Sequence, residues 1–293
     1  MGPARDVSAL RQLLAGLEAE RLSGETSSFR LGANGPGPLA LGRGALHEIQ
    51  AVQGADMAAA AGFTLALALR ASAGAEAAGD SFPRGAASAV APPRPVLWVR
   101  QDMVEAELGR LDADGLAALG LDPARLILVR ASDAATALRA GEDALRCAAL
   151  GAVLIETWGT PKALDLTATR RLSLRADASR VTGFLLRGAG QPIPTAVATR
   201  WRVAPAASSP QGEGHAPGAP AFAATLLRHR GGEGGRPVEG GTWNLEWDRE
   251  TCSFRDLAAL PRAVVPVPSG RPAGADPARA GREDGLARLR RAG

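Results

Sequence analysis

Hydrophobic and polar positions along the chain follow two periods, one helical and one strand-like, and they exchange in a regular order. Val7, Leu10, Leu13, Leu14 and Leu17 recur at helical spacing with charges between them, so residues 7–22 read as a short helix. A Gly/Ser/Pro-rich stretch, 23–38, follows as a linker. Ala45–Ile49 reads as a strand, Gly54 marks a turn, and an apolar helix runs from Met57 to Ala71. Residues 72–95 are rich in Ala, Gly, Ser and Pro and read as a flexible insertion.

The middle of the chain alternates. Pro95–Arg100 and Arg125–Arg130 are continuous apolar runs of the kind that form buried strands, with a short helix, Asp114–Leu119, between them. Ser132 and Asp133 can cap the next helix. That helix gathers Ala134, Ala137, Leu138, Gly141, Leu145, Ala148 and Ala149 on one face, opposite Arg139, Glu142, Asp143 and Arg146. Ala152–Ile155 is a third such strand, closed by Glu156. Thr167–Arg180 is a helix and Thr182–Leu186 a fourth strand. From there the helices stop. Ala198–Val203, Phe222–Arg228 and Thr242–Trp247 read as three strands joined by Gly/Pro-rich loops at 204–221 and 231–241.

Strands apolar on both faces and separated by helices imply a parallel sheet covered on both sides. The expected fold is therefore α/β, with a mostly parallel central sheet, helices on both faces and an antiparallel C-terminal extension. The expected organisation is an N-terminal helix and linker (1–37), a core (38–260) and a basic, low-complexity tail (261–293). A helical turn is expected within that tail at Leu286–Arg291.

Charge changes this picture only at the C-terminus. The chain has 34 basic and 30 acidic residues, a net charge of +4, and Lys162 is its sole lysine. Seven arginines against three acids follow Pro261, also a net of +4, which leaves residues 1–260 neutral. A neutral body with a basic tail does not by its bulk charge call for nucleic acid, although local clusters can still meet phosphates. Such a composition, rich in Arg, Ala and Gly, points to a GC-rich genome more than to a selected function.

Cys147 and Cys252 are too few and too far apart for a disulfide framework, which fits a reducing compartment. His47, His215 and His229 lack metal-ligand spacing, so no metal or other cofactor is expected. The N-terminus has no continuous apolar run of the signal-peptide kind, and Met57–Leu69 falls short of the roughly 20 residues that span a bilayer. A cytoplasmic location, with no membrane partner, is the expectation.

The order of strand, loop, helix, three strand–helix repeats and an antiparallel end matches the layout of the RecA-like core. More specifically, Gly42–Glu48, Gly120–Val129, Glu142–Cys147, Leu164–Leu172 (LDLTATRRL) and Ala198–Val203 (ATRWRV) resemble the ImuA family, in its alphaproteobacterial type. The resemblance covers roughly residues 38–256. It implies a RecA-related fold and an SOS-induced accessory role in damage-tolerant, mutagenic replication. The implied partners are an ImuB-like relative of Y-family polymerases and an error-prone polymerase III alpha-type subunit, with RecA as a further candidate.

A RecA-like fold raises the question of a nucleotide. A phosphate-binding loop needs glycines so that backbone N–H groups can wrap the phosphates, a lysine on the outer phosphates and a hydroxyl on magnesium. The turn here reads Gln50-Ala51-Val52-Gln53-Gly54-Ala55-Asp56-Met57, with one glycine, no lysine and no hydroxyl at the helix start. Asp56 would repel phosphate while favouring the helix N-terminus as a cap. ATP hydrolysis is not expected. Gly54, Asp56, Gln101 and Glu156 are read as vestiges of an ATPase site. Glu156, at a strand end, occupies the place of a magnesium-associated acid, and pairing with an arginine is the favoured reading for it.

Candidate contacts to a partner or to DNA are Arg170, Arg171, Arg175, Arg187, Arg200, Arg202, Arg228 and Arg230, with Trp243 and Trp247. Arg228 and Arg230 resemble the paired basic residues with which RecA-like protomers reach a neighbour's nucleotide. Without that nucleotide they can meet a partner's acid or a DNA phosphate. RecA relatives hold single-stranded DNA in the loops after the third and fourth core strands. The matching loops, Thr157–Asp165 and Gly188–Thr195, are short, and the second is stiffened by Pro192 and Pro194 with no aromatic platform. Ordinary surface ion pairs are the alternative for these arginines. Trp243 and Trp247, four apart on a strand, share a face, and core packing is favoured over a docking anchor. No nucleophile has a positioned base.

The leading reading is thus a non-catalytic docking protein. A divergent ATPase or recombination factor, and a cell-division inhibitor of the SulA type, are the competing ones.

Overall fold

In a computed structural model, residues 28–32, 40–72, 94–209, 218–230 and 240–257 are described. The expected helix at 7–22, the insertion and the tail lie outside them, apart from the margins of the insertion. A nine-stranded sheet runs through the molecule, and its order explains which side chains can meet.

The chain enters with a small antiparallel pair, β1 (Ser28–Arg30) and β2 (Ala40–Gly42). The first of these lies in the stretch expected as linker. β3 (Leu46–Ala51) then leads through a 3-10 turn, Gly54–Asp56, into α1 (Met57–Ser72). β4 (Val96–Gln101) passes directly into α2 (Asp102–Leu108), which was not anticipated, and α3 (Ala113–Ala118) precedes β5 (Leu126–Ala131). α4 (Ala134–Ala144), β6 (Ala152–Trp158), α5 (Leu166–Ser179) and β7 (Thr182–Gly188) follow. β8 (Thr199–Pro205), β9 (Ala221–His229), β10 (Thr242–Asp248) and β11 (Ser253–Asp256) complete the chain of elements.

The sheet order is β11-β10-β9-β8-β3-β7-β6-β4-β5. The six strands from β8 to β5 are mutually parallel, and β9, β10 and β11 are added antiparallel. The expected α/β class holds, and the arrangement is consistent with a RecA-like core.

Local signals set the helices. Asp133 accepts from the Thr136 N–H at 2.8 Å, Asp165 from Ala168 at 2.7 Å and Asp112 from Gly115 at 2.7 Å, each satisfying a free donor at a helix start. α4 buries Ala134, Ala137, Leu138, Gly141 and Ala144, as its pattern predicts. It stops earlier than expected, however, and leaves Ala148 and Ala149 exposed. α1 is buried nearly all round and packs on β3, β6, β7 and β8. Its side of the sheet holds Phe63, Trp98, Phe184, Trp201 and Phe254. α4 and α5 cover the other side over Leu46, Val99, Val153, Ile155 and Leu185.

Two strand readings need correction. β5, expected as buried, is the sheet's edge, with Ile127 and Leu128 each 44% exposed. An apolar run shows that a strand has hydrophobic side chains, not that it has two neighbours. β6 continues two residues past Glu156, so that side chain lies within the sheet's face and not at the strand's end.

Candidate functional site

In a parallel α/β sheet, ligands gather outside the carboxyl ends of the strands. There the Val52–Asp56 turn is compact, with the Asp56 N–H bonded back to the Gln53 carbonyl at 3.0 Å. The Asp56 carboxylate does not cap α1. Asp56 is the last residue of the 3-10 turn, whose N-cap Gln53 makes no side-chain cap bond, and the carboxylate receives a long contact from Gln53 Nε2 at 3.5 Å. The Trp158 indole covers this turn. A Cβ added to Gly54 would meet Trp158 Cη2 at 3.7 Å, and one on Gly188 would fall 2.8 Å from the indole's Cε3 and Cζ3 and 3.0 Å from Met57 Sδ.

Gln101 and Glu156, the other two positions read as vestigial, are also engaged by neighbours. Gln101 Oε1 accepts the Trp158 backbone N–H at 3.1 Å. Glu156 is buried, and its Oε2 accepts from Trp98 Nε1 at 2.9 Å and Arg100 Nε at 3.0 Å. Burial pushes the Glu156 carboxyl up, and the charge and hydrogen bond of Arg100 with the bond from Trp98 only partly offset it. Gly54, Asp56, Gln101 and Glu156 therefore offer no cradle that fits a nucleotide phosphate and its magnesium. Among the described residues, no group of three His, Cys, Asp or Glu side chains is placed to hold a metal ion.

The strongest polar constellation is one that sequence reasoning missed. Glu48, on β3, is wholly buried beneath the loop that links β7 to β8. Its Oε1 receives Arg187 Nη1 at 2.8 Å and Gln50 Nε2 at 2.7 Å, while its Oε2 receives Thr195 Oγ1 at 2.5 Å and Arg200 Nε at 3.0 Å. The same arginines hold the loop by its carbonyls: Arg187 Nη2 donates to Gln191 at 2.9 Å and Arg200 Nη2 to Ile193 at 2.8 Å. Burial alone pushes the Glu48 carboxyl up. The bonds from Thr195 and Arg187 and the charges of Arg200 and Arg187 outweigh it, so the group lies below the usual carboxylate range. Arg187 and Arg200, expected as surface contacts, are thus committed to a buried ion network. The register that aligns Glu48 with Arg200 across β3 and β8 brings them together.

The remaining candidates divide. Arg171 and Arg175 lie on the surface of α5 and reach Glu142 of α4 at 3.8 and 3.3 Å, which are ordinary exposed ion pairs. Arg170 is exposed on the same helix. Trp247 is a core residue: it is 1% exposed, its Nε1 donates to the Leu119 carbonyl at 2.8 Å, and its ring lies 4.9 Å from Phe254. Trp243 is half-buried, 6.0 Å from Trp201. Arg202 and Arg230 are exposed and Arg228 is half-buried, on the side of β8 and β9 opposite α1.

Comparison with known proteins bears on what this frame serves. No family model matches the chain. Two curated sequences, both called Protein ImuA and both from strains of Caulobacter vibrioides, are 38% identical to it over 150 residues. The aligned region covers 48% of this chain and 57% of each relative. The chain is ImuA-like. It spans little more than half the length of the ImuA proteins it matches. No helix among the described residues is long and apolar enough to cross a membrane.

Proposed function

We propose that this ImuA-like protein is a non-catalytic accessory factor of SOS-induced, error-prone translesion DNA synthesis. It acts in the cytoplasm by docking an ImuB-like relative of Y-family polymerases together with an error-prone polymerase III alpha-type subunit. RecA is a further partner in this reading. The observation that carries it is the 38% identity to Protein ImuA. The turn under the Trp158 ring supports the non-catalytic half, because a charged phosphate would meet the Asp56 carboxylate there and no lysine. A RecA-like sheet without a nucleotide retains rigid strand edges and helix faces, which suit a scaffold for protein partners.

Co-purification of the full chain with an ImuB-type protein at micromolar concentration tests the docking, and a stable binary complex is the expected result. Mg-ATP turnover measured in parallel should stay at the background rate. Nucleotide-dependent thermal stabilisation that disappears in Glu156→Ala would instead favour a divergent ATPase.

A further inference from the structure

The side of the sheet opposite α1 is covered by α4 and α5 as far as β3, and beyond β3 no helix packs on β8 or β9 among the described residues. That open strip carries arginine at three successive levels. Arg202 and Arg200 are two residues apart on β8, Arg228 lies across from Arg200 on β9, and Arg230 follows beside Ala198. Alternate residues of a strand are roughly 7 Å apart, so the backbone positions of these arginines form a ladder of roughly even step, apart from a register shift between Arg200 and Trp201.

Among the described residues, the outer arginines of the strip are uncompensated. The described carboxylates on this side of β3 and β10 are engaged elsewhere: Glu48 holds Arg187 and Arg200, and Glu246 and Asp248 hold Arg255. Among the described residues, no carboxylate is ion-paired with Arg202, Arg228 or Arg230. Burial pushes the Arg228 guanidinium down, and the charges of Arg230 and Arg200 add to it. The neighbouring positions on this side are small or polar: Ala204, Ala223, Thr225, Thr242 and Asn244.

We infer that this strip binds the backbone of a single-stranded nucleic acid through its phosphodiesters. Planar guanidinium forks match phosphate oxygens, and the even step suits the successive phosphates of one extended strand. An acidic protein segment would share the charge, but docking partners are usually anchored by buried aromatic or large apolar groups. Among the described residues, Leu227, 37% exposed, is the large exposed apolar side chain of β9. With no aromatic on this side of β8 and β9 among the described residues, recognition is by backbone alone, tolerant of sequence and sensitive to salt. Arg200 joins this surface to the carboxyl-edge loop Gly188–Thr195, through Ile193 and Thr195.

The test is fluorescence anisotropy of a labelled oligodeoxythymidylate with the full chain, across a salt series. Wild type should bind, with a linear fall of log affinity against log salt. The triple variant Arg202→Ala/Arg228→Ala/Arg230→Ala should bind roughly tenfold or more weakly, with a slope shallower by about 2. The corresponding triple lysine variant should keep most of the slope and serves as the folding control. Absence of binding by wild type at low salt, or equal binding by wild type and the alanine variant, overturns the inference. So does binding of polyglutamate in preference to the oligonucleotide. None of these failures touches the docking reading, which co-purification tests separately.

Discussion

Arg187 and Glu48 form an ion pair at 2.8 Å whose two side chains are 1% and 0% exposed. Burying two charges is costly, and the pair persists because Thr195, Gln50 and Arg200 complete the hydrogen bonding of the carboxylate. Glu156 is equally hidden but has one arginine, and its carboxyl shifts the opposite way. Removing the two charges should therefore have unequal effects. Glu48→Gln strands Arg187 in the interior and should cost about 3–5 kcal/mol. Glu156→Gln also leaves Arg100 without its ion pair, but burial already disfavours the charged carboxyl there, so it should cost about 1–2 kcal/mol. Urea unfolding of both variants with unchanged m-values measures the difference, and equal costs would refute the contrast.

These networks explain how much of the molecule was legible. The strands of the parallel sheet and the helices capped by Asp133 and Asp165 follow from apolar periodicity, which depends on neighbours in sequence. Arg187 and Arg200 were read as surface residues because an arginine on a strand has no visible partner until β3 is known to lie between β7 and β8. β5 was read as buried because its side chains do not reveal that it ends the sheet. α2 escaped because it buries only Val104 and so has almost no apolar stripe. At the carboxyl edge, the make-up of the Gln50–Met57 turn was legible, but the Trp158 cover was not, since it comes from a strand about a hundred residues later.

His47 should make stability depend on pH. Its Nδ1 contacts Thr199 Oγ1 at 2.8 Å and its Nε2 contacts the Gly42 carbonyl at 2.9 Å, in a wholly buried position. Burial lowers its pKa to about 4, the Gly42 carbonyl opposes this, and the nearby His229 adds to it. The unfolded chain, with an ordinary histidine value near 6.5, then binds the proton more tightly than the folded one. Stability should be full above about 6.5 and fall as pH drops towards 4, by about 3 kcal/mol in all. His47→Gln should flatten that limb of the profile, measured by urea denaturation at stepped pH. An unchanged profile would remove His47 as the cause.

Gly141 sits where α4 touches β6. An added Cβ would fall 2.2 Å from Ile155 Cδ1 and 2.5 Å from its Cγ1. Alanine favours a helix by about 1 kcal/mol over glycine, but overpacking a close contact costs about 1–3 kcal/mol. Gly141→Ala should therefore destabilise despite its better helix propensity. Adding Ile155→Val removes the nearer methyl, so the double variant should melt higher than Gly141→Ala alone. If the single substitution raises the melting temperature, the packing at this contact is looser than the geometry states.

Trp158 separates two obstacles that the proposed non-catalytic reading sets before a nucleotide, a blocked space and a missing set of ligands. The indole packs over Gly54, Gly188 and Met57, so Trp158→Ala opens the turn. If bulk were the obstacle, the variant would gain affinity for Mg-ATP. The turn would still present the Asp56 carboxylate to the phosphates, with no lysine and no hydroxyl at the helix start, so space alone gives them nothing to bind. Trp158→Ala should lose stability, by about 2–4 kcal/mol for a large and partly buried aromatic. Millimolar Mg-ATP should leave the melting temperatures of both wild type and variant unchanged. A nucleotide-dependent rise confined to the variant would mean that the frame still holds phosphate ligands and that Trp158 acts as a plug.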